Sequence, residues 1–240
     1  MDLTLYLTCL AIFACACFLQ GLVGFGMGVI ASPLLLIVEP RLMPGGVIFI
    51  GVVLALITTI QYRTSLSLAM LKSAFVGRIL GTFLAAYILM IISQAHLAII
   101  LGLSVLFVVM LTLTKWQLMP TQINLFFGGM LSGIMGTATG IGGPPLAILL
   151  QNENPDVLKA NLAAFFTITG LISLAALYFA GRFSLADVQV SLTMLPAPIV
   201  ATYFAYKWHS KVKPQYIRYA VLILCSISAI ISLSEGIHML

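Results

Sequence analysis

Long apolar stretches separated by short polar connections run through almost the whole chain. A helix needs about 20 mainly apolar residues to cross roughly 30 Å of hydrocarbon. Six uninterrupted stretches predict plain membrane spans, near residues 45–62, 75–93, 97–114, 158–180, 189–206 and 216–234. Two further stretches, 3–38 and 122–150, are too long for one span and are interrupted by glycine clusters. We expect each of these two to form a broken helix pair or a re-entrant hairpin.

The two interrupted stretches match each other at one constant spacing. Residues of the same type recur 112 positions apart, as in the pairs Gly21 and Gly133, Gly24 and Gly136, Gly28 and Gly140, Pro33 and Pro145, and Leu34 and Leu146. Later, Ser67-Leu68-Ala69 matches Ser184-Leu185-Ala186 at an offset of 117, and the polar loop 151–156 accommodates the extra residues. The chain is therefore predicted to hold two repeats, 1–116 and 117–240, within one membrane domain.

Composition places most of this surface in lipid. Hydrophobic residues make up 62% of the chain and charged residues 7%, against roughly a quarter charged in a soluble domain. The predicted fold class is an all-α polytopic membrane bundle of two repeats, each with a glycine-broken pair followed by three transmembrane helices. Although the net charge is +5, Lys and Arg are scattered between apolar runs, which argues against a nucleic-acid partner.

The positions of the basic residues predict the topology. Arg63, Lys72 and Arg78 flank one connection, and four more basic residues flank another between Lys207 and Arg218. The positive-inside rule places both connections in the cytoplasm. If each broken stretch enters and returns on one side, the two repeats have opposite orientations and both termini face outward. The first apolar run lacks a basic flank and is longer than a signal peptide, so we expect it to be retained as a span.

The glycine clusters are candidate anion-binding elements. Glycine weakens a helix interior by roughly 1 kcal/mol, and proline favours the first turn of a new helix, so we expect helices to restart near Pro33 and Pro144. The first amides of such helices are unpaired and attract anions, and inverted-repeat transporters place substrate at such breaks. The predicted substrate-binding residues here are Gly24, Gly26, Gly28, Ser32, Gly136, Thr137, Thr139, Gly140, Gly142 and Gly143. The alternative is that these glycines only allow helices to pack closely.

Arg78 is the remaining candidate ligand. It lies in an apolar segment, between Gly77 and Ile79, and a cation inside a helical bundle can pair with an anionic substrate. The alternative is that its long side chain extends to the cytoplasmic headgroups, because the segment begins only a few residues earlier.

The sequence offers little for catalysis, cofactors or metals. The four cysteines lie in apolar runs without a Cys-x-x-Cys pair, and the three histidines have no spacing typical of a metal site. The letters from Gly26 to Ala31 fit a dinucleotide fingerprint, but no short strand precedes them and no acid follows about 20 residues later. All six acids fall in loops or near span ends, which disfavours a proton relay at the midplane. We expect neither an enzyme nor a bound cofactor.

Two glycine clusters that each lead into a Pro-Leu run, Gly24 to Leu34 and Gly136 to Leu146, resemble the two halves of the TauE/SafE sulfite exporter family. The resemblance extends over essentially the whole chain. It implies an inner-membrane permease for a small sulfur-containing or organic anion, such as sulfite, thiosulfate, sulfoacetate or sulfolactate. From the two glycine breaks we expect this permease to work by alternating access around them. The resemblance does not select the anion, the direction, a coupling ion or an oligomeric state. An anion channel and a non-catalytic membrane subunit of a larger complex are the alternatives.

Overall fold

The structure is a computed structural model that describes residues 2–23, 26–113, 118–208, 226–227, 229–234 and 236–238. The described residues are nearly all helical and contain no strand, which confirms the all-α fold class. The helices are α1 (Leu3–Val23), α2 (Met27–Val38), α3 (Gly45–Gln61), α4 (Lys72–Ile91), α5 (Gln94–Leu113), α6 (Gln122–Thr139), α7 (Gly143–Leu149), α8 (Pro155–Phe179), α9 (Leu185–Met194) and α10 (Pro196–Trp208).

Four of the described helices, α1, α4, α5 and α8, are long and apolar enough to cross a membrane. The helices α9 and α10 together make a fifth candidate, which is bent by 45°. A span was expected near residues 189–206 as one uninterrupted helix; the candidate span is present, but its helix is interrupted by this bend. Pro196 opens α10 directly after the bend, and proline both lacks an amide donor and disfavours helical geometry in the residue before it.

Both glycine-rich stretches are broken helix pairs. The stretch 3–38 divides into α1 and α2, and the stretch 122–150 into α6 and α7. At each break one glycine adopts a left-handed conformation, with φ of 112° at Gly26 and 78° at Gly140. A side chain would strain either position.

Only the second helix restarts at its proline. The helix α7 begins at Gly143 with Pro144 in its first turn, as predicted. The helix α2 begins at Met27 and contains Pro33 in its interior, so the expected restart near Pro33 was wrong. Glycine alone breaks the first stretch, and Pro33 removes one hydrogen bond inside a helix that continues through it.

The last predicted span, 216–234, lies mainly outside the described residues. Residues 226–227 and 229–234 within it are helical. Ala229 joins the largest apolar cluster, which also contains Phe13, Leu35 and Leu101 from α1, α2 and α5.

Helix directions follow from the contacts between them. Gly77 and Gly81 of α4 lie against Phe126 and Met130 of α6 in the same order, so these helices run parallel. The same holds for α1 and the α9–α10 pair, where the hydroxyl of Tyr6 donates to the carbonyl of Thr193 and Gly21 lies against Ala205.

The helices α3 and α8 run in opposite directions. Val52 of α3 lies against Gly170 of α8, the hydroxyl oxygens of Thr59 and Thr167 are 3.4 Å apart, and Tyr62 meets Lys159. Residue numbers thus rise along α3 as they fall along α8. These two helices hold equivalent places in the two sequence repeats.

Glycines close the interface between α4 and α6. Gly77 and Gly81 on α4 face Gly129 and Gly133 on α6, and a Cβ at any of the four would collide with backbone of the other helix. Small residues at four-residue spacing let membrane helices approach in this way. At this interface the glycines therefore serve the alternative role given above, which is close packing of helices. The interface lies on the same helix, α6, that ends at the break after Thr139.

One end of the bundle carries several cations. Arg63 lies in the connection between α3 and α4, Lys72 is the first residue of α4, Lys159 lies in the first turns of α8, and Lys207 lies at the end of α10. The cation–aromatic contact of Lys159 with Tyr62 and the hydrogen bond between Ser73 and Gln122 place α3, α4, α6 and α8 together there. We call this the basic end.

Candidate functional site

A cavity of about 110 Å³ lies between the two helix breaks. Its walls come from the breaks themselves and from α3, α4 and α8. The lining residues used below are Gln20, Gly26, Gly28, Thr58, Arg78, Gly136, Gly140, Gly142, Gly143 and Phe166. One buried water molecule needs roughly 10–15 Å³ of such cavity volume. This central cavity therefore has room for several waters or one small ion.

The breaks touch at the centre of the molecule. A Cβ at Gly28 would collide with the carbonyl of Gly140, and a Cβ at Gly140 would meet Val47 and lie 3.1 Å from the hydroxyl oxygen of Ser32. Glycine is therefore required at position 28, because backbone from one break lies directly on backbone from the other, and at position 140, where the left-handed conformation strains any other residue. The contact brings residues that are 112 positions apart in sequence into one wall of the cavity.

Arg78 supplies the charge of the cavity. Its side chain is 4% exposed, and among the described residues no other charged side chain lines the cavity. Its Nη1 donates to the carbonyl and to the hydroxyl of Ser132, the latter at 2.6 Å. Its Nε is buried and has no hydrogen-bond partner among the described residues. The side chain is therefore held against α6 inside the bundle. It does not extend along the bundle surface, as the alternative of contact with lipid headgroups would require.

Two glycines make room for this guanidinium. A Cβ at Gly136 would lie 2.6 Å from Nη1 of Arg78, and one at Gly142 would collide with the same atom. The hydroxyl of Ser132 in turn donates to the carbonyl of Gly142. Helix α6 and the break that follows it thus form a socket for a side chain that comes from α4.

Aromatic rings cover the other side of the guanidinium. Its carbon lies 5.3 Å from the ring centroid of Phe166 and 6.0 Å from that of Phe165. Such contacts stabilise a desolvated cation by up to roughly 2 kcal/mol. They hold Arg78 at the cavity wall without neutralising it, so its full positive charge remains available to an anion.

The predicted hydroxyls do not line the cavity. Thr137 takes part in a buried cluster with Thr82 and Ser173, at oxygen separations of 3.2 and 2.9 Å, and Thr139 donates to the carbonyl of Met135. Ser32 is fully buried beside Gly140, and its hydroxyl has no partner among the described residues.

Seven of the eleven predicted site residues line this one cavity: Gly26, Gly28, Arg78, Gly136, Gly140, Gly142 and Gly143. Gly24 lies outside the described residues. That any of them binds a substrate stays a prediction.

Other residues that form the cavity or hold Arg78 were not predicted from the sequence. Ser132 holds Arg78, and α3 and α8 supply much of the lining, including Thr58 and Phe166. No local motif marks Thr58 and Phe166, since both lie in ordinary apolar spans, and Ser132 directly precedes the second glycine cluster without any signal that links it to Arg78. Gln20 carries one visible signal, because it is an amide in an apolar run next to the first glycine cluster.

No group of three or more His, Cys, Asp or Glu that could hold a metal ion occurs among the described residues. No acidic residue lines the central cavity in that part of the chain either. The chemistry on offer is one guanidinium, exposed glycine backbone, two side-chain polar groups from Gln20 and Thr58, and apolar walls. This set suits binding of a small anion.

Comparison with known proteins identifies the family. The family model described as sulfite exporter TauE/SafE matches residues 9–231, a range that includes both helix breaks, Arg78 and every wall of the central cavity. No curated protein and no solved structure matches the chain. The match and the apolar helices together show an integral, multi-pass membrane protein. The chain belongs to the TauE/SafE sulfite exporter family of membrane transporters.

Proposed function

We propose that this protein is a permease that carries a small sulfur-containing anion, of the sulfite, thiosulfate or organosulfonate type, across the inner membrane. The observation that carries the proposal is Arg78, a buried guanidinium in a central cavity whose described lining holds no acid. An ion buried without a counter-ion costs several kcal/mol. A bound anion would offset that cost, and ionisable residues within membrane segments usually mark a substrate path.

The size and backbone of the cavity support a small substrate. About 110 Å³ accommodates an ion of a few heavy atoms better than a large organic acid. Glycines at the breaks allow such an ion to approach main-chain amides closely. Arginine suits the role because its planar fork can bind two oxygens of a sulfite or sulfonate group at once.

The helix directions support two inverted repeats working by alternating access. The equivalent helices α3 and α8 are antiparallel, α4 packs parallel to α6, and α1 packs parallel to α10. A two-fold axis in the membrane plane relates such contacts, as it does in inverted-repeat transporters. In this proposal the basic end faces the cytoplasm and both termini face outward, in keeping with the positive-inside rule.

Flux into vesicles containing only the purified chain tests the function. We expect uptake of sulfite that saturates with concentration and is stimulated by unlabelled anion on the opposite side. Flux that never saturates and shows no exchange would indicate the anion channel. An absence of flux, in correctly inserted protein, would favour the role of a subunit in a larger complex.

A cross-link between α3 and α8, where they meet at the cavity lining, tests alternating access. A Cβ at Gly170 would lie 3.8 Å from that of Val52, which is the usual separation in a disulfide. In this proposal α3 and α8, which meet at the cavity lining, slide against each other during transport, so oxidation of the double variant Val52→Cys/Gly170→Cys should stop transport, and reduction should restore it. The control is Thr82→Cys/Thr137→Cys, whose native hydroxyl oxygens are 3.2 Å apart in the cluster that ties α4, α6 and α8 together. Loss of flux in both oxidised variants would contradict this account.

A further inference from the structure

A second, smaller cavity lies at the basic end. Its volume is about 40 Å³, and its lining residues are Gln20, Gly21, Leu54, Thr58, Gln61, Tyr62, Lys159 and Thr202. These residues come from α1, α3, α8 and α10, together with Tyr62 just after α3. We call it the basic-end cavity.

The two cavities adjoin each other. Gln20 and Thr58 belong to the lining of both, so they form the boundary between the basic-end cavity and the central cavity. The side-chain oxygen of Gln20 accepts a hydrogen bond of 2.9 Å from the amide of Met27, the first residue of α2. This bond fixes the oxygen toward the helix terminus, and within the described ranges the NH₂ group of Gln20 donates to no other residue, so it can donate to a ligand.

The charge of the basic-end cavity comes from Lys159. The Nζ atom lies 5.6 Å from the centre of the Tyr62 ring, and the side chain is half-buried. No acidic residue occurs in the described lining. Lys159 and the amides of Gln20 and Gln61 are donors, which suit an oxyanion and disfavour a cation.

We propose that the basic-end cavity is an entry site for a small oxyanion, with Lys159 as its charged ligand and Gln20 as its boundary with the central cavity. This inference rests on the proposed transport function. The anion passes from Lys159 to Arg78, two cations that belong to different helices and to adjoining cavities. Electrostatic attraction at such a site raises the rate at which anions arrive and is weakened by salt.

One-sided flux measurements test Lys159. With sulfite added only at the basic end, Lys159→Gln should raise the half-saturating concentration about five-fold at low salt, an effect of the size expected for a steering charge. Lys159→Arg should restore most of the loss. Lys72→Gln removes an exposed charge from the same end and should leave the value unchanged. Equal effects of Lys159→Gln and Lys72→Gln would overturn the proposal, as would an equal effect when sulfite is added at the opposite end.

The variant Gln20→Glu tests the boundary. Glutamate retains an oxygen for the Met27 amide but places a negative charge between the cavities, so sulfite flux should fall by at least about ten-fold, because like charges at this range repel strongly. The matched control is Gln94→Glu, an exposed residue at the start of α5, which should transport normally. Wild-type flux through Gln20→Glu would show that the anion takes another route.

Calorimetric binding of sulfite to the purified protein separates this inference from the proposed function. In the Arg78→Met background, weak binding that disappears on adding Lys159→Gln supports the entry site even if vesicle flux is absent. If wild-type flux saturates but that residual binding and the Lys159 effect are both missing, the entry site is wrong and the transport function stands. Absence of both binding and flux in the wild type refutes both.

Discussion

Replacing Arg78 by methionine separates a substrate-binding role from a structural one. The change removes the guanidinium and its two hydrogen bonds to Ser132. Ser132 stays satisfied, because its hydroxyl still donates to Gly142 and its carbonyl lies within α6, where the regular helix bond remains. Methionine is flexible enough to occupy the space beside Phe165 and Phe166. The variant therefore leaves no buried polar group of α6 without a partner.

The expected loss of anion affinity in Arg78→Met follows from the charge of the guanidinium and its distance from the anion. Two opposite unit charges about 4 Å apart attract by about 4 kcal/mol at an effective dielectric constant of 20. Water retained in the cavity reduces this figure, and we take about 3 kcal/mol, which corresponds to roughly a 100-fold loss of anion affinity. Stability without anion should stay equal or rise, because removing a buried ion that lacks a counter-ion is neutral or favourable.

Concentration-dependent sulfite flux and thermal unfolding without anion are the two measurements. Arg78→Lys is the control, since it keeps the charge but loses the planar fork and part of the stacking on Phe166; its affinity should fall between those of the wild type and Arg78→Met. Wild-type affinity in Arg78→Met would refute the central role of this residue. A large loss of thermal stability in that variant, with affinity intact, would show that Arg78 serves only to hold α4 against α6.

Three further predictions concern residues around the cavity. Gly136→Ala should displace the Arg78 guanidinium and weaken sulfite affinity about ten-fold. The control is Gly128→Ala on the same helix α6, where the added Cβ collides only with the flexible end of the Leu149 side chain of α7 and makes an ordinary contact with the carbonyl of Pro145; it should leave the affinity unchanged, and equal sulfite titrations for the two variants would count against the socket. Thr137→Val should lower the free energy of unfolding by about 1–2 kcal/mol through loss of a buried hydrogen bond, and the half-saturating concentration of sulfite should stay unchanged. A change in that concentration would show that Thr137 does contribute to substrate binding. Gly28→Leu should abolish flux by forcing the breaks apart while membrane insertion remains normal, and uptake at the wild-type rate would refute the contact with Gly140 as a functional element.

The breaks could be predicted because they depend on local backbone chemistry. The two glycine clusters recur 112 residues apart, and the left-handed residues Gly26 and Gly140, at which the helices break, fall within them. The residue at which the helix begins again after the break could be predicted only in the second half of the chain. Pro144 stands directly after its glycines, whereas Pro33 follows five residues after Gly28, enough for a turn of helix to form first.

The side-chain ligands could be predicted less well, because they depend on how each helix is rotated. Thr137 and Thr139 lie beside Gly136 and Gly140 in sequence, yet their hydroxyls face α8 and the carbonyl of Met135. A hydroxyl at membrane depth either binds substrate or bonds to neighbouring helices, and composition does not distinguish the two. The environment of Arg78 depends likewise on the parallel packing of α4 on α6, a long-range contact that no local motif encodes.

Arg78 also breaks the symmetry of the repeats. The offset of 117 that aligns Ser67 with Ser184 carries Arg78 onto Leu195, the residue at the bend between α9 and α10. One repeat thus offers a continuous helix with a cation, and the other a bent pair with an apolar side chain. In a fully symmetric molecule the states open to either side would have equal energy. In the proposed alternating-access cycle the cation is held on α6 through Ser132, so a bound anion would meet different surroundings in the two states, and we expect this difference to bias the exchange between them.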